Sequence, residues 1–192
     1  MKKLPTLGAF IFFAILGGFS NCTLFPSKNS IPNYFSQRSE LVLVYIGSSS
    51  CVAANDESIP TLFLKLAHKI DSIAVEQNYG FTTIGISSEI NIEEGLSHLK
   101  KIHNFDEISI GNGLANVGFQ NYYWEKINPQ KKLTIPQFII TKREYDYKST
   151  QGLNESISPK INSEEVIVQT TGALGLYMIL QKKHIDRVWD KL

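Results

Sequence analysis

The chain has 192 residues, 43% of them hydrophobic and 19% charged, which is enough material for one well-packed domain and too apolar for a disordered chain. Its formal net charge is +1, and the lysines are scattered rather than gathered on a face with interleaved aromatics. Nothing here favours nucleic acid electrostatically, so that class of partner is excluded.

Lys2 and Lys3 precede an uncharged, mostly apolar run from Leu4 to Phe19, followed by Ser20, Asn21 and Cys22. This pattern reads as an export signal. The run falls short of the roughly 20 residues that a helical membrane span needs. A cysteine just after the apolar run resembles a bacterial lipoprotein signal, in which that residue, here Cys22, becomes the lipidated N-terminus. Phe19 and Asn21 depart from that pattern, which usually has an aliphatic residue and a Gly, Ala or Ser there. Two other readings stand beside it: a cut after Ser20, with Gly18 and Ser20 as the small recognition residues, or an uncleaved anchor. All three place the domain in the bacterial cell envelope or beyond it, as a membrane-tethered lipoprotein or else as a periplasmic or secreted protein.

Thr23 to Arg38 contains Pro26, Pro32 and several Ser and Asn, the composition of a tether. The expected organisation is therefore an export signal over 1–22, a tether over 23–38 and a single domain over 39–192. Exported proteins live where disulfides persist. If Cys22 carries lipid, Cys51 has no partner in the chain; if it does not, a Cys22–Cys51 disulfide stays open.

Glu40 to Gly47 is a near-continuous apolar run with valines, as in a strand buried on both faces. From about Ala53 to Gln77, the spacing of Leu62, Leu66, Ile70, Ile73 and Ala74 gives one apolar helical face. Asn55, Asp56 and Glu57 favour a helix start, and Pro60 belongs in the first turn of a shorter helix or kinks a longer one. Asn78-Tyr79-Gly80 ends that helix; Phe81 to Ser87 reads as a second strand and Ile92 to His103 as a short amphipathic helix. Strand, helix, strand, helix predicts a parallel core. Phe105 to Ile110 follows as a short strand, and Leu114 to Ile127 as an extra, aromatic-rich helix. Pro136 opens a β-rich run within Thr134 to Lys142, where its missing N–H matters least. A polar loop over Tyr145 to Ser163, a strand at Val166 to Gln169 and a closing helix from Gly175 to Leu192 complete the prediction.

Three stretches in this order, "IGSSSCVAAN", "TIPQFIITKRE" and "TTGALGLYMILQKKHIDRVW", resemble the thioredoxin superfamily over residues 38 to 192. The resemblance implies an α/β thioredoxin-like fold: a central mixed β-sheet flanked by helices, with an insertion before the cis-proline strand. It implies that Cys51 stands where the family keeps its attacking thiol, that the bond before Pro136 is cis, and that Ile135 presents its backbone to an extended, thiol-bearing peptide beside Cys51. The physical reason for such a place is that free N–H groups and the dipole at a helix start stabilise a thiolate.

The departures are as informative. In a C-x-x-C site the second thiol attacks the mixed disulfide and releases the substrate; here Ala54 holds that position. Asp56 and Glu57 oppose a thiolate electrostatically. The acid that many thioredoxins bury on the strand before the cysteine has no counterpart in Leu41 to Gly47. Cys51 thus reads either as a monothiol resolved by an outside thiol or as a small, semi-buried residue at an inherited position. On the first reading the partners are exported proteins or small-molecule thiols. On the second the chain is a redox-inactive interaction module at the membrane surface, held by its N-terminal lipid or anchor. A single-cysteine peroxidase is a lower reading, since Ser48 holds the threonine place of T-x-x-C.

No metal or cofactor is expected. His98 and His103 read as solvated or packed rather than ligating, while His68 and His184 form no constellation. Ser48 to Ser50 lack a G-x-S-x-G elbow and are expected to satisfy backbone groups at the turn. Tyr122, Tyr123 and Trp124 are expected in the core, with an exposed partner-binding patch as the alternative. Asn154-Glu155-Ser156 matches a glycosylation acceptor that a bacterial-type leader leaves idle.

Overall fold

A computed structural model of the chain describes residues 39–126, 134–150 and 156–181. The export signal, the tether, Cys22, Asn154 and His184 lie outside the described residues. Within them, no helix is long and apolar enough to cross a membrane.

The chain builds a five-stranded mixed sheet in the order β3-β2-β1-β4-β5. The central strand β1 (Ser39–Gly47) is the continuous apolar run, and six of its residues, Leu41 to Ile46, are fully buried. Burial on both faces needs two covering layers, and both are present. Leu41, Leu43 and Tyr45 point toward α1 (Ile59–Glu76), α2 (Ile92–Ile102) and α4 (Gly172–Leu180). Val42, Val44 and Ile46 point the other way, against Phe119, Tyr122 and Tyr123. The aromatic cluster is thus core for its two tyrosines, while Trp124 packs on its margin.

Strand β2 (Gly80–Ser87) runs parallel to β1, and the short edge strand β3 (Glu107–Ser109) runs parallel to β2. Strand β4 (Gln137–Thr150) pairs antiparallel with β1, and β5 (Ser156–Thr171) antiparallel with β4.

Four predicted boundaries change. The first helix is the shorter of the two alternatives: Val52–Asn55 is a separate 3₁₀ turn, and α1 starts only at Ile59, with Pro60 in its first turn. It ends as expected, with Asn78 in the left-handed region at φ 56°. Its buried stripe is Ile59, Phe63, Leu66, Ala67, Ile70 and Ala74, whereas Leu62 and Ile73 sit at its flank.

The aromatic-rich helix is broken. A 3₁₀ turn (Gly113–Ala115), a single α-turn α3 (Val117–Phe119) and a π-helical turn (Gln120–Glu125) replace one regular helix. Asn116 caps the α-turn by accepting the Phe119 N–H at 2.8 Å.

The predicted loop over Tyr145 to Ser163 is largely strand. β1 pairs with β4 only as far as Ser39 opposite Glu144, whereas β4 and β5 go on pairing to Thr150 opposite Ser156. Among the described residues no third strand pairs with this ribbon beyond Ser39, so nothing there imposes an apolar face and its sequence resembles a loop. The closing helix starts three residues early, at Gly172 with φ 67°, and ends at Leu180; its predicted remainder from 182 lies outside the described residues.

Candidate functional site

Cys51 lies just past the C-terminal end of β1, where ligand sites form in open α/β sheets. Its thiol is free and half-buried. The turn that holds it is tied locally. Cys51 N–H donates to the Ser48 carbonyl at 3.2 Å, and the Asn55 amide donates to the carbonyls of Ser49 and Cys51 at 2.7 and 2.8 Å.

The other wall comes from the start of β4. The Ile135–Pro136 peptide is cis. Cys51 Sγ donates to the Ile135 carbonyl at 3.4 Å, across a sequence gap of 84 residues. Two bonds tie the backbone on either side of Ile135: Thr134 N–H donates to the Tyr123 hydroxyl at 3.2 Å, and Gly172 N–H at the start of α4 donates to the Pro136 carbonyl at 3.1 Å. The structure thus brings Cys51, Ile135 and Pro136 together. Ala54, three residues on, is fully buried.

One element of the expected electrostatics changes. Cys51 heads a four-residue 3₁₀ turn rather than the long helix, because Asp56 and Ser58 interrupt the helical path. The dipole of α1 begins at Ile59 and so is not aimed at the thiol from its first turn. Asp56 accepts from Ser58 N–H at 2.9 Å and Ser58 Oγ at 2.6 Å, and these bonds hold its carboxyl below its usual value.

The residue that sequence reasoning missed is Glu89, in the loop after β2. Its carboxylate accepts from the Ser48 hydroxyl at 2.7 Å, the Ser49 hydroxyl at 2.9 Å, and also the Ser49 N–H and the Ser87 hydroxyl. Burial raises the Glu89 carboxyl pKa, but the bonds from Ser87, Ser48 and Ser49 outweigh it and bring it to about 2. Ser48 Oγ accepts one backbone N–H of the turn, that of Ser50 at 3.3 Å, as expected, while Ser48 and Ser49 also hold a buried anion beneath the thiol turn. The only sequence signal was three consecutive serines facing, across a parallel strand pair, a loop with one acid.

Tyr45 and His98 complete this region. The Tyr45 ring lies against Gly47, where any Cβ would collide with it. Its hydroxyl meets His98 Nε2 at 2.9 Å. Burial pushes the Tyr45 hydroxyl well above its ordinary range, with the nearby Cys51 and Glu89 adding to the shift. Burial likewise lowers the His98 pKa, against an opposing pull from Glu89. His98 is thus a packed, neutral ring, and His103 packs between Phe63 and Phe105. Among the described residues no group of three or more His, Cys, Asp or Glu is placed to hold a metal ion.

Compared with family models, with curated proteins and with solved structures, the chain matches none.

Proposed function

We propose that this chain is an exported thioredoxin-like protein whose working group is the single thiol of Cys51, acting by thiol–disulfide exchange. The observation that carries the reading is the contact of Cys51 Sγ with the Ile135 carbonyl, 3.4 Å away at the C-terminal end of the parallel strands. Support for the fold family comes from the order of its parts: strand, thiol turn, helix, strand, helix, insertion, proline-opened strand, hairpin strand, helix.

In this reading the Cys51 thiolate attacks a disulfide R–S–S–R′, forming Cys51–S–S–R and releasing R′–S⁻. Ala54 offers no second thiol, so an outside thiolate R″–S⁻ attacks the mixed disulfide, returning Cys51 as thiolate and leaving as R–S–S–R″. No electron acceptor is consumed: a disulfide enters and a disulfide leaves. The chain is a carrier of one sulfur partner rather than a net oxidant or reductant. Its partners are exported protein thiols or small-molecule thiols, met at the membrane surface if Cys22 carries lipid.

A second reading takes the same contact the other way. With the Cys51 S–H donated to a backbone carbonyl and Ala54 buried, the site is closed on itself, as suits a redox-inactive interaction module. Trapping separates the two. A Cys22→Ala protein incubated with a peptide disulfide forms a mixed disulfide that mass spectrometry finds on Cys51 and that added thiol releases. Cys51→Ser abolishes this on the first reading; on the second, no adduct forms and partner binding survives the substitution.

A further inference from the structure

Helix α4 carries no charged side chain: Gly172 to Leu180 reads GALGLYMIL. Leu176 and Ile179 are buried in the core that α4 shares with α1 and β1. The opposite face holds Leu174, Tyr177 and Met178, spaced i, i+3 and i+4, which stay 72%, 52% and 46% exposed. A surface helix ordinarily turns polar residues outward; this one is apolar all round and covered on one side only.

The size and setting of this face indicate its partner. Three side chains fall far short of the about 800 Å² per partner that a stable protein–protein interface buries, which argues against a second copy. A bilayer asks for less, because the chain is already held beside it. With lipid on Cys22, the stretch from there to Ser39 spans at most about 60 Å even when fully extended. A domain held that close docks through contacts too weak to retain a free one. Lys182 and Lys183 follow α4 in the sequence with only Gln181 between, a basic pair suited to anionic headgroups. Tyr177 has the amphipathic ring that favours a membrane interface.

We infer that the exposed face of α4 docks on an anionic bilayer surface, with Leu174 and Met178 at the acyl boundary and Tyr177 at the headgroups. The inference rests on the export and lipid reading of the N-terminus and not on the reactivity of Cys51. It does bear on where that thiol works. Gly172 N–H, at the start of α4, donates to the Pro136 carbonyl at 3.1 Å, and α4 packs against the 3₁₀ turn Val52–Asn55 that follows Cys51. Docking through α4 therefore holds the thiol turn close to the bilayer, within reach of partners that are themselves membrane-bound.

Tryptophan fluorescence of the full chain tests this with phosphatidylethanolamine–phosphatidylglycerol vesicles whose acyl chains are brominated. In a Trp124→Phe, Trp189→Phe background, Leu174→Trp is expected to shift to the blue and lose about half its emission or more, as for a ring at the acyl boundary. Val117→Trp, at a similarly exposed position on the layer across the sheet, should keep its emission. Adding Tyr177→Glu and Met178→Glu should bring the quenching at 174 down to the Val117→Trp level, and added salt should weaken it. Cys51→Ala should leave it intact. The full chain, residues 1–192, is anchored by its leader whether or not Cys22 receives lipid in cells, so this outcome is separate from the lipid reading, which the mass of the exported Cys22 peptide decides. Equal quenching at 174 and 117, no quenching at 174, or quenching that survives the two glutamates overturns the inference. So does a blue emission of Leu174→Trp that vesicles leave unchanged, which would mean that a second copy or the chain's own tail covers the face.

Discussion

Ser48 Oγ and Glu89 Oε1 lie 2.7 Å apart, joining the end of β1 to the loop after β2 across 41 residues of sequence. This bond and its neighbours make a buried carboxylate the anchor of the turn that presents Cys51. Replacing the carboxylate with a group that accepts fewer bonds leaves serine donors unpaired. Glu89→Leu is expected to cost about 1–3 kcal/mol in urea unfolding, and Glu89→Gln less. Both should speed amide exchange at Ser49 and Cys51. Wild-type stability and exchange in Glu89→Leu would remove Glu89 from this role.

Stability should fall in acid in two stages, and the signs follow from the shifts. His98 and His103 both have pKa values lowered by burial, so the unfolded chain takes up protons first, near the ordinary histidine value of about 6.5. Their contribution is full above that pH and declines below it. Glu89, held at about 2, contributes fully above the ordinary glutamate value of about 4.3 and loses that contribution as pH falls toward 2. Denaturation midpoints measured from pH 8 to pH 2.5 should therefore slope gently below 6.5 and steeply below 4.3; a profile flat from 6 to 3 would contradict both assignments.

Tyr45→Phe removes the hydroxyl that meets His98 Nε2 at 2.9 Å in a fully buried setting. A loss of about 1–2 kcal/mol is expected. Either the hydroxyl or the ring nitrogen can be the donor of this pair: loss of a donating hydroxyl moves the His98 titration upward, toward the free value, and loss of an accepting one moves it downward. Ring-nitrogen chemical shifts across pH read the direction, and an absent shift would mean that the hydroxyl does not act on the ring.

Gly95, on the face of α2 against β2, has no room for a methyl group. A Cβ there would collide with Ile110 and come within 2.7 Å of Ser87 Oγ, one of the donors to Glu89. Gly95→Ala raises helix propensity yet should destabilise by about 1–3 kcal/mol through overpacking. A gain in thermal midpoint would show that α2 can shift away at no cost.

The parts of the fold that announce themselves are those with a one-sided or two-sided burial pattern. β1 is apolar from Leu41 to Ile46, where it is covered on both faces, and was readable; α1 was readable as a helix, with Leu66, Ile70 and Ala74 of its expected face in the buried stripe. The β4–β5 ribbon was not, since past Glu144 no strand among the described residues pairs with it to dictate alternation. The π-helical turn was not either: an extra residue in a helical turn leaves no periodic trace. At the site, the grouping of Cys51 with Ile135 and Pro136 was expected from the family resemblance alone, since nothing in the spacing of the residues pairs positions 84 apart, and the contact now seen is that of Cys51 Sγ with the Ile135 carbonyl. Glu89 was hidden because its partners, three serines and a backbone N–H, are common in any loop, and only the parallel pairing of β1 with β2 brings them together.

The central claim is that Cys51 is a working thiol, and the most direct test compares its reaction with the uncharged disulfide 4,4′-dithiodipyridine in the folded and the urea-unfolded Cys22→Ala chain at pH 7. The account predicts that the folded chain reacts faster than the unfolded one and that added thiol restores Cys51 from the mixed disulfide. A folded chain that reacts more slowly than the unfolded chain would contradict it, leaving Cys51 as a semi-buried residue held against the Ile135 carbonyl.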